Sequence, residues 1–64
     1  MTDAGEIVRL CREQLKWSRH RLSEKTGVAI STIVNIERNA DCRLSTFERL
    51  IESMGFEIEI LRKE

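Results

Sequence analysis

Apolar residues recur at helical spacing along most of this chain and switch to strict alternation only near its end. Ile7, Val8, Leu10, Cys11 and Leu15 lie close to a 3.6-residue period, which predicts a helix over about residues 3–15 with Thr2 or Asp3 as its cap. Ser18 then predicts a second helix start, with Arg21 at the third helical position where a glutamate would complete a capping box. Gly27 is the natural left-handed residue to end it. A third helix is expected from about Ile30 to Arg38, with Ile33 and Ile36 as its buried stripe. Ala29 stands at its cap position and offers no side-chain acceptor, so this start is expected to fray. Asn39 to Arg43 reads as a polar loop. Leu44 or Ser45 opens a fourth helix whose face is Phe47, Leu50, Ile51 and Met54, and Gly55 ends it.

The last segment behaves differently. Phe56-Glu57-Ile58-Glu59-Ile60 alternates apolar and acidic residues, a period of two that signals a strand over about 56–61. No other segment reads as a strand. A lone strand leaves its backbone groups unpaired and its large apolar side chains exposed. Pairing with the same strand of a second copy across a two-fold axis solves both problems. Met54, Phe56, Ile58 and Ile60 would then form a dimer interface. A tail folded back on its own helices, or a disordered end, are the alternatives. The expected architecture is all-α: a compact bundle of four to five helices with one short C-terminal strand shared between protomers.

Sixty-four residues predict one domain, over 1–64, and one small core that a second copy would help to stabilise. The chain has no run of apolar residues long enough to span a membrane. Its first residues lack the basic flank and apolar core of a signal peptide, so a cytoplasmic location is expected. Cys11 and Cys42 are too few for a disulfide framework, and Cys11 reads as a free thiol on an amphipathic helix. With His20 they show no metal-ligand spacing, so neither a metal nor another cofactor is expected. No nucleophile paired with a base is visible, and a core this small leaves no room for a ligand pocket, so an enzyme or a small-molecule sensor is not expected.

Net charge is zero, but the charges are not evenly spread. Arg9, Arg12, Lys16, Arg19, Arg21 and Lys25 face only Glu13 and Glu24 in residues 9–25. From residue 44 onward Glu48, Glu52, Glu57, Glu59 and Glu64 outnumber Arg49, Arg62 and Lys63. A basic front and an acidic tail fit one DNA-facing surface and one other surface, the second a candidate for a protein partner at Glu48, Glu52, Glu57 and Glu59.

Within the basic half, Trp17 to Glu37 reads as two short helices joined at a single glycine, with only one stripe of the second firmly apolar. This is a candidate helix-turn-helix over about residues 18–38. Such a unit sets the N-terminal residues of its second helix against base edges. Those residues are Ile30, Ser31, Val34 and Asn35. Asn35 suits adenine, Ser31 either kind of base, and the two apolar side chains suit thymine methyl groups, unless they meet a partner protein instead. Ser18 and the free amides at the start of its helix can hold a phosphate. Trp17, just before the cap, reads as a core and staple residue.

Residues 7–54 resemble the Xre/Cro-type helix-turn-helix domains, through Val8, Arg12, Trp17-Ser18, Leu22, Gly27-Val28, Ser31-Thr32-Ile33, Ile36-Glu37 and Leu44-Ser45-Thr46-Phe47. The resemblance implies a lambda-repressor-like bundle that binds operator DNA as a homodimer. It implies DNA contacts from Ser18, Arg19, Ala29, Ile30, Ser31, Thr32, Val34, Asn35, Asn39 and Arg43. It also implies a structural ion pair between Arg12 and Glu37. Two departures stand out: Ala29 replaces the usual polar cap, and Ile30 replaces a long polar side chain. Arg19 stands where glutamine is usual. Trp17, the Leu-x-Thr-Phe opening of helix four and the C-terminal strand are similar to HipB-type antitoxins of HipA/HipB-like toxin–antitoxin operons. The implied function is a sequence-specific repressor of its own operon with a cognate toxin as a further partner. The alternatives are a phage or plasmid repressor without a toxin, and a protein-interaction module on a degenerate helix-turn-helix.

Overall fold

The computed structural model describes residues 3–39 and 41–58, and these hold four helices: α1 (Ala4–Gln14), α2 (Arg19–Thr26), α3 (Ile30–Asn39) and α4 (Leu44–Ser53). Asp3 caps α1, its carboxylate accepting the Glu6 amide at 2.8 Å. The Ser18 hydroxyl oxygen accepts the Arg21 amide at 3.0 Å and starts α2, as the sequence predicts. Gly27, at φ 78°, stops it. α3 runs one residue further than the spacing implies, taking Asn39 from the loop. α4 opens at Leu44 behind Arg43, which makes no side-chain cap bond.

Each helix supplies one fully buried side chain to a shared core: Val8, Leu22, Ile33 and Leu50. Ile36, Ile51 and Met54 complete it. α1 and α2 each pack against both α3 and α4. This clamps α3 from behind and leaves its front open.

α1 and α4 end in the same hydrogen-bonded turn. At the end of α1 the Trp17 amide donates to the Arg12 carbonyl at 3.1 Å and the Lys16 amide to Glu13 at 3.0 Å. At the end of α4 the Phe56 amide donates to Ile51 at 3.2 Å and the Gly55 amide to Glu52 at 3.0 Å. Both are Schellman turns, which require a left-handed residue after the helix cap. In α4 that residue is glycine, Gly55 at φ 87°; in α1 it is Lys16 at φ 59°, the one non-glycine with positive φ among the described residues.

Two expectations concern the C-terminal region. Residues 56–58 have no regular secondary structure, and no strand occurs among the described residues; Ile60 and the rest of the expected strand lie outside them. A ladder needs a second strand, and within one chain Phe56 and Ile58 pack against the core instead. They border a shallow apolar groove with Ile7, Cys11, Phe47 and Ile51. Met54, expected at a dimer interface, is only 5% exposed and belongs to the protomer's own core. Thr2, the alternative cap of α1, also lies outside the described residues.

Candidate nucleic-acid interface

The site is built from the two short helices and the turn between them. Gly27 closes α2 because only a residue without Cβ adopts its backbone without strain. Thr26 then steers the chain into α3: its hydroxyl donates to the Leu22 carbonyl at 2.8 Å and accepts the Val28 amide at 3.1 Å. Ala29 takes the cap position of α3, its carbonyl accepting the Ile33 amide at 3.1 Å while its methyl group offers the first turn no acceptor.

Ile33 and Ile36 turn inward and fix which side of α3 faces out. Ile30, Ser31, Thr32 and Asn35 are exposed on the outer arc, and Val34 is half-buried at its edge. Ser31 and Asn35, one turn apart, are neighbours on that arc. Thr32 and Asn35 also line a shallow groove with Arg43 and Thr46, between α3 and the start of α4. Thr46, part of the family-like Leu-Ser-Thr-Phe opening of α4, is not among the DNA contacts expected from the sequence. Asn39 is the last residue of α3.

The inner end of α3 is held by charge. Glu37 has a side chain only 3% exposed, and Arg12 grips it with two bonds, Nε to Oε2 at 2.9 Å and Nη2 to Oε1 at 3.1 Å. The third corner of the Arg12 guanidinium donates from Nη1 to the Trp17 carbonyl at 2.9 Å. One arginine therefore ties α3 to α1 and to the residue before the Ser18 cap. A planar fork on a carboxylate is the geometry in which arginine is strongest.

Arg19 joins this cluster. Its Nε donates to Glu37 Oε1 at 3.0 Å while its side chain stays 47% exposed. Sequence reasoning assigned Arg19 to phosphate and missed this contact, because residues 19 and 37 come together only through the packing of α2 on α3. One carboxylate faces two guanidinium groups, so the cluster carries a net positive charge at the edge of the exposed arc. Trp17 is half-buried against the core, with the Arg21 guanidinium 5.1 Å from its ring centroid.

The remaining chemistry is sparse. His20 approaches Glu24 at 3.7 Å on the surface of α2. Cys11 and Cys42 are free; burial pushes both thiols above their ordinary pKa, and Asp41 pushes Cys42 further the same way. Among the described residues no group of three or more metal-ligating side chains converges, and no helix is long and apolar enough to cross a membrane.

This arrangement can do one thing well: it presents an uncharged polar and apolar helix face at a fixed angle, flanked by arginines. The comparisons with known proteins agree with that geometry. Residues 8–61 match the family model described as helix-turn-helix. Antitoxin HipB of Escherichia coli strain K12 is 33% identical over 54 residues, covering 83% of this chain and 61% of that protein. Antitoxin HipB of Escherichia coli O6:H1 strain CFT073 is also 33% identical over 54 residues, covering 83% of this chain and 57% of that protein. The chain thus spans about three fifths of the length of these relatives, 61% and 57%. No solved structure gives a significant match. With the matched segment running from α1 through α4, the chain belongs to the Xre-type helix-turn-helix family.

Proposed function

We propose that this chain binds double-stranded operator DNA as a homodimer, represses its own operon and serves as the antitoxin of a toxin–antitoxin pair. The observation that carries the DNA reading is the division of α3. Its inner end is locked by the Arg12–Glu37–Arg19 cluster, and the outer face of its first two turns stands open with Ser31 and Asn35 side by side. A helix held that way enters the major groove at a defined angle. Ser18, Arg19 and Arg43 sit beside it, where the groove walls carry phosphates. The homodimer draws support from the apolar groove between Ile7, Phe47, Ile51 and the Phe56–Ile58 segment, the segment in which the alternation of apolar and acidic residues begins. The antitoxin role draws support from the relatives, both of which are antitoxins by name.

Fluorescence anisotropy of the full chain on its own upstream DNA and on a scrambled duplex, over a salt series, tests the reading. Specific binding, reduced by Asn35→Ala, is the expected result. Arg19→Ala is expected to lower the salt slope by about 1, because one phosphate contact releases one counterion's worth of binding. Equal and negligible affinity for both duplexes would defeat the DNA reading. Sedimentation equilibrium tests the dimer separately.

A further inference from the structure

The open half of α3 contains two hydrocarbon side chains that the core does not use. Ile30, the first residue of the helix, is 41% exposed. Val34 follows one turn later and is half-buried. Neither belongs to the core or to the hydrophobic side chains packed against it. They lie on one strip, since residues four apart are neighbours on a helix. Asn35 and Ser31 form the adjacent strip.

The charges that are missing matter as much. Residues 30–36, Ile-Ser-Thr-Ile-Val-Asn-Ile, contain no arginine, lysine, aspartate or glutamate. Guanine is read chiefly by arginine or lysine and cytosine by a carboxylate. This stretch of α3 has neither tool. It has an amide fork, which matches the N6 and N7 edge of adenine, and a hydrocarbon strip beside it. In the major groove the hydrocarbon group presented by the bases is the thymine 5-methyl. Adenine and thymine are partners, so both features of α3 select the same base pairs. The reach is suitable as well: four residues of helix rise about 6 Å, against roughly 6.8 Å for two base steps.

We propose that α3 reads A·T pairs, with Ile30 and Val34 as specificity-determining residues that pack on the 5-methyl groups of thymines no more than about two base steps apart. This rests on α3 being the groove-entering helix, and it adds the class of sequence that the helix recognises.

The test removes the methyl groups without touching the protein. Duplexes enriched by the full chain from a random pool are re-made with deoxyuridine at each thymine position, and affinities are measured for the wild-type chain, Ile30→Ala and Val34→Ala. Loss of a contacted methyl is expected to weaken wild-type binding about fourfold, the worth of one buried carbon. Ile30→Ala and Val34→Ala are each expected to lose that sensitivity at one position, while their thermal midpoints stay close to wild type. Because every variant meets the same duplexes, changes in DNA shape caused by uracil cancel in the comparison. Unchanged wild-type affinity for fully uracil-substituted sites would overturn the proposal and leave the groove assignment standing. Enrichment of sites without paired thymines would do the same. Enrichment of no duplex at any salt concentration would overturn both, and would turn the hydrocarbon strip toward a protein partner.

Discussion

The two ends of α3 are built on opposite principles. At the inner end, Glu37 is buried and gripped by two arginines from two other helices. At the outer end, Ala29 supplies no cap, and Ile30, Ser31 and Thr32 are exposed. The inner end trades surface for fixed geometry. The outer end keeps surface, and with it backbone amides and side chains free to meet something else. A reading helix needs both: the angle is set where nothing is read, and the reading is done where nothing is fixed.

The strongest way to break this contrast is to remove the anchor. Glu37→Ala leaves Arg12, only 8% exposed, with a buried charge and no carboxylate. Breaking a buried pair from one side typically costs about 3–5 kcal/mol. A domain of this size has a total stability of roughly 3–10 kcal/mol, so a large unfolded fraction is expected by chemical denaturation. Removing both partners together, as Arg12→Met with Glu37→Leu, should recover much of the loss, because no uncompensated charge remains. A double variant no more stable than Glu37→Ala would mean that the pair is not what holds the inner end.

The outer end should answer the opposite way. Asn35→Ala is expected to leave the denaturation midpoint nearly unchanged, since the side chain is exposed and makes no bond within the protein among the described residues. The same change should weaken binding to the preferred duplex by about 1–3 kcal/mol. A substitution that moved stability and affinity together would erase the distinction between the two ends. Arg19 sits between them. Its ion pair is half exposed, so its contribution to stability should be below about 1 kcal/mol, with its main effect on salt dependence.

How far these features were legible in the sequence follows the range of the interactions. The Ser18 cap and the Gly27 stop depend on residues three or four apart, and the sequence patterns placed both. The core positions Ile33 and Leu50 follow from helical period, and Val8 is one of the five apolar positions that this period picks out over residues 3–15. Leu22, the single apolar residue of α2, has no period to mark it and enters through the family resemblance. The Arg19–Glu37 contact follows from neither, because a side chain in the first turn of α2 reaches α3 only once both helices are packed. Met54 shows where helical period stops being informative. It continues the apolar face of α4, and periodicity cannot say whether that face ends in the protomer's own core or on a partner. The alternation at Phe56 and Ile58 carries the same ambiguity: it specifies two side chains to bury, and a strand only if another strand is present.

Capping the open end would sharpen the comparison by a smaller amount. Ala29→Ser places a hydroxyl where it can accept an amide of the first turn of α3, and a gain of about 1 kcal/mol is expected by denaturation. A gain in stability accompanied by weaker DNA binding would show that those amides are used on phosphate. No gain at all would mean that the first turn is already satisfied, and the contrast with the inner end would shrink to side-chain exposure.

The smallest expected effect concerns the support beneath the anchor. Lys16 is left-handed so that the turn after α1 can close, which places the Trp17 carbonyl against Arg12 Nη1. α4 makes the same turn with Gly55 and avoids the steric cost of a Cβ there. That cost is about 1–2 kcal/mol for an L-residue, and glycine's extra freedom in the unfolded chain offsets about 0.4–1 kcal/mol of it. Lys16→Gly is therefore expected to stabilise the domain by about 0.5 kcal/mol, with the Arg12–Trp17 bond and the affinity for DNA unchanged. Since the strained residue lies in the turn that feeds the clamp, relieving it should tighten the fixed end without altering the face that reads. A loss of stability would mean that the lysine side chain itself supports the turn. A change in DNA affinity would mean that the angle of α3 is set by this turn as much as by Glu37.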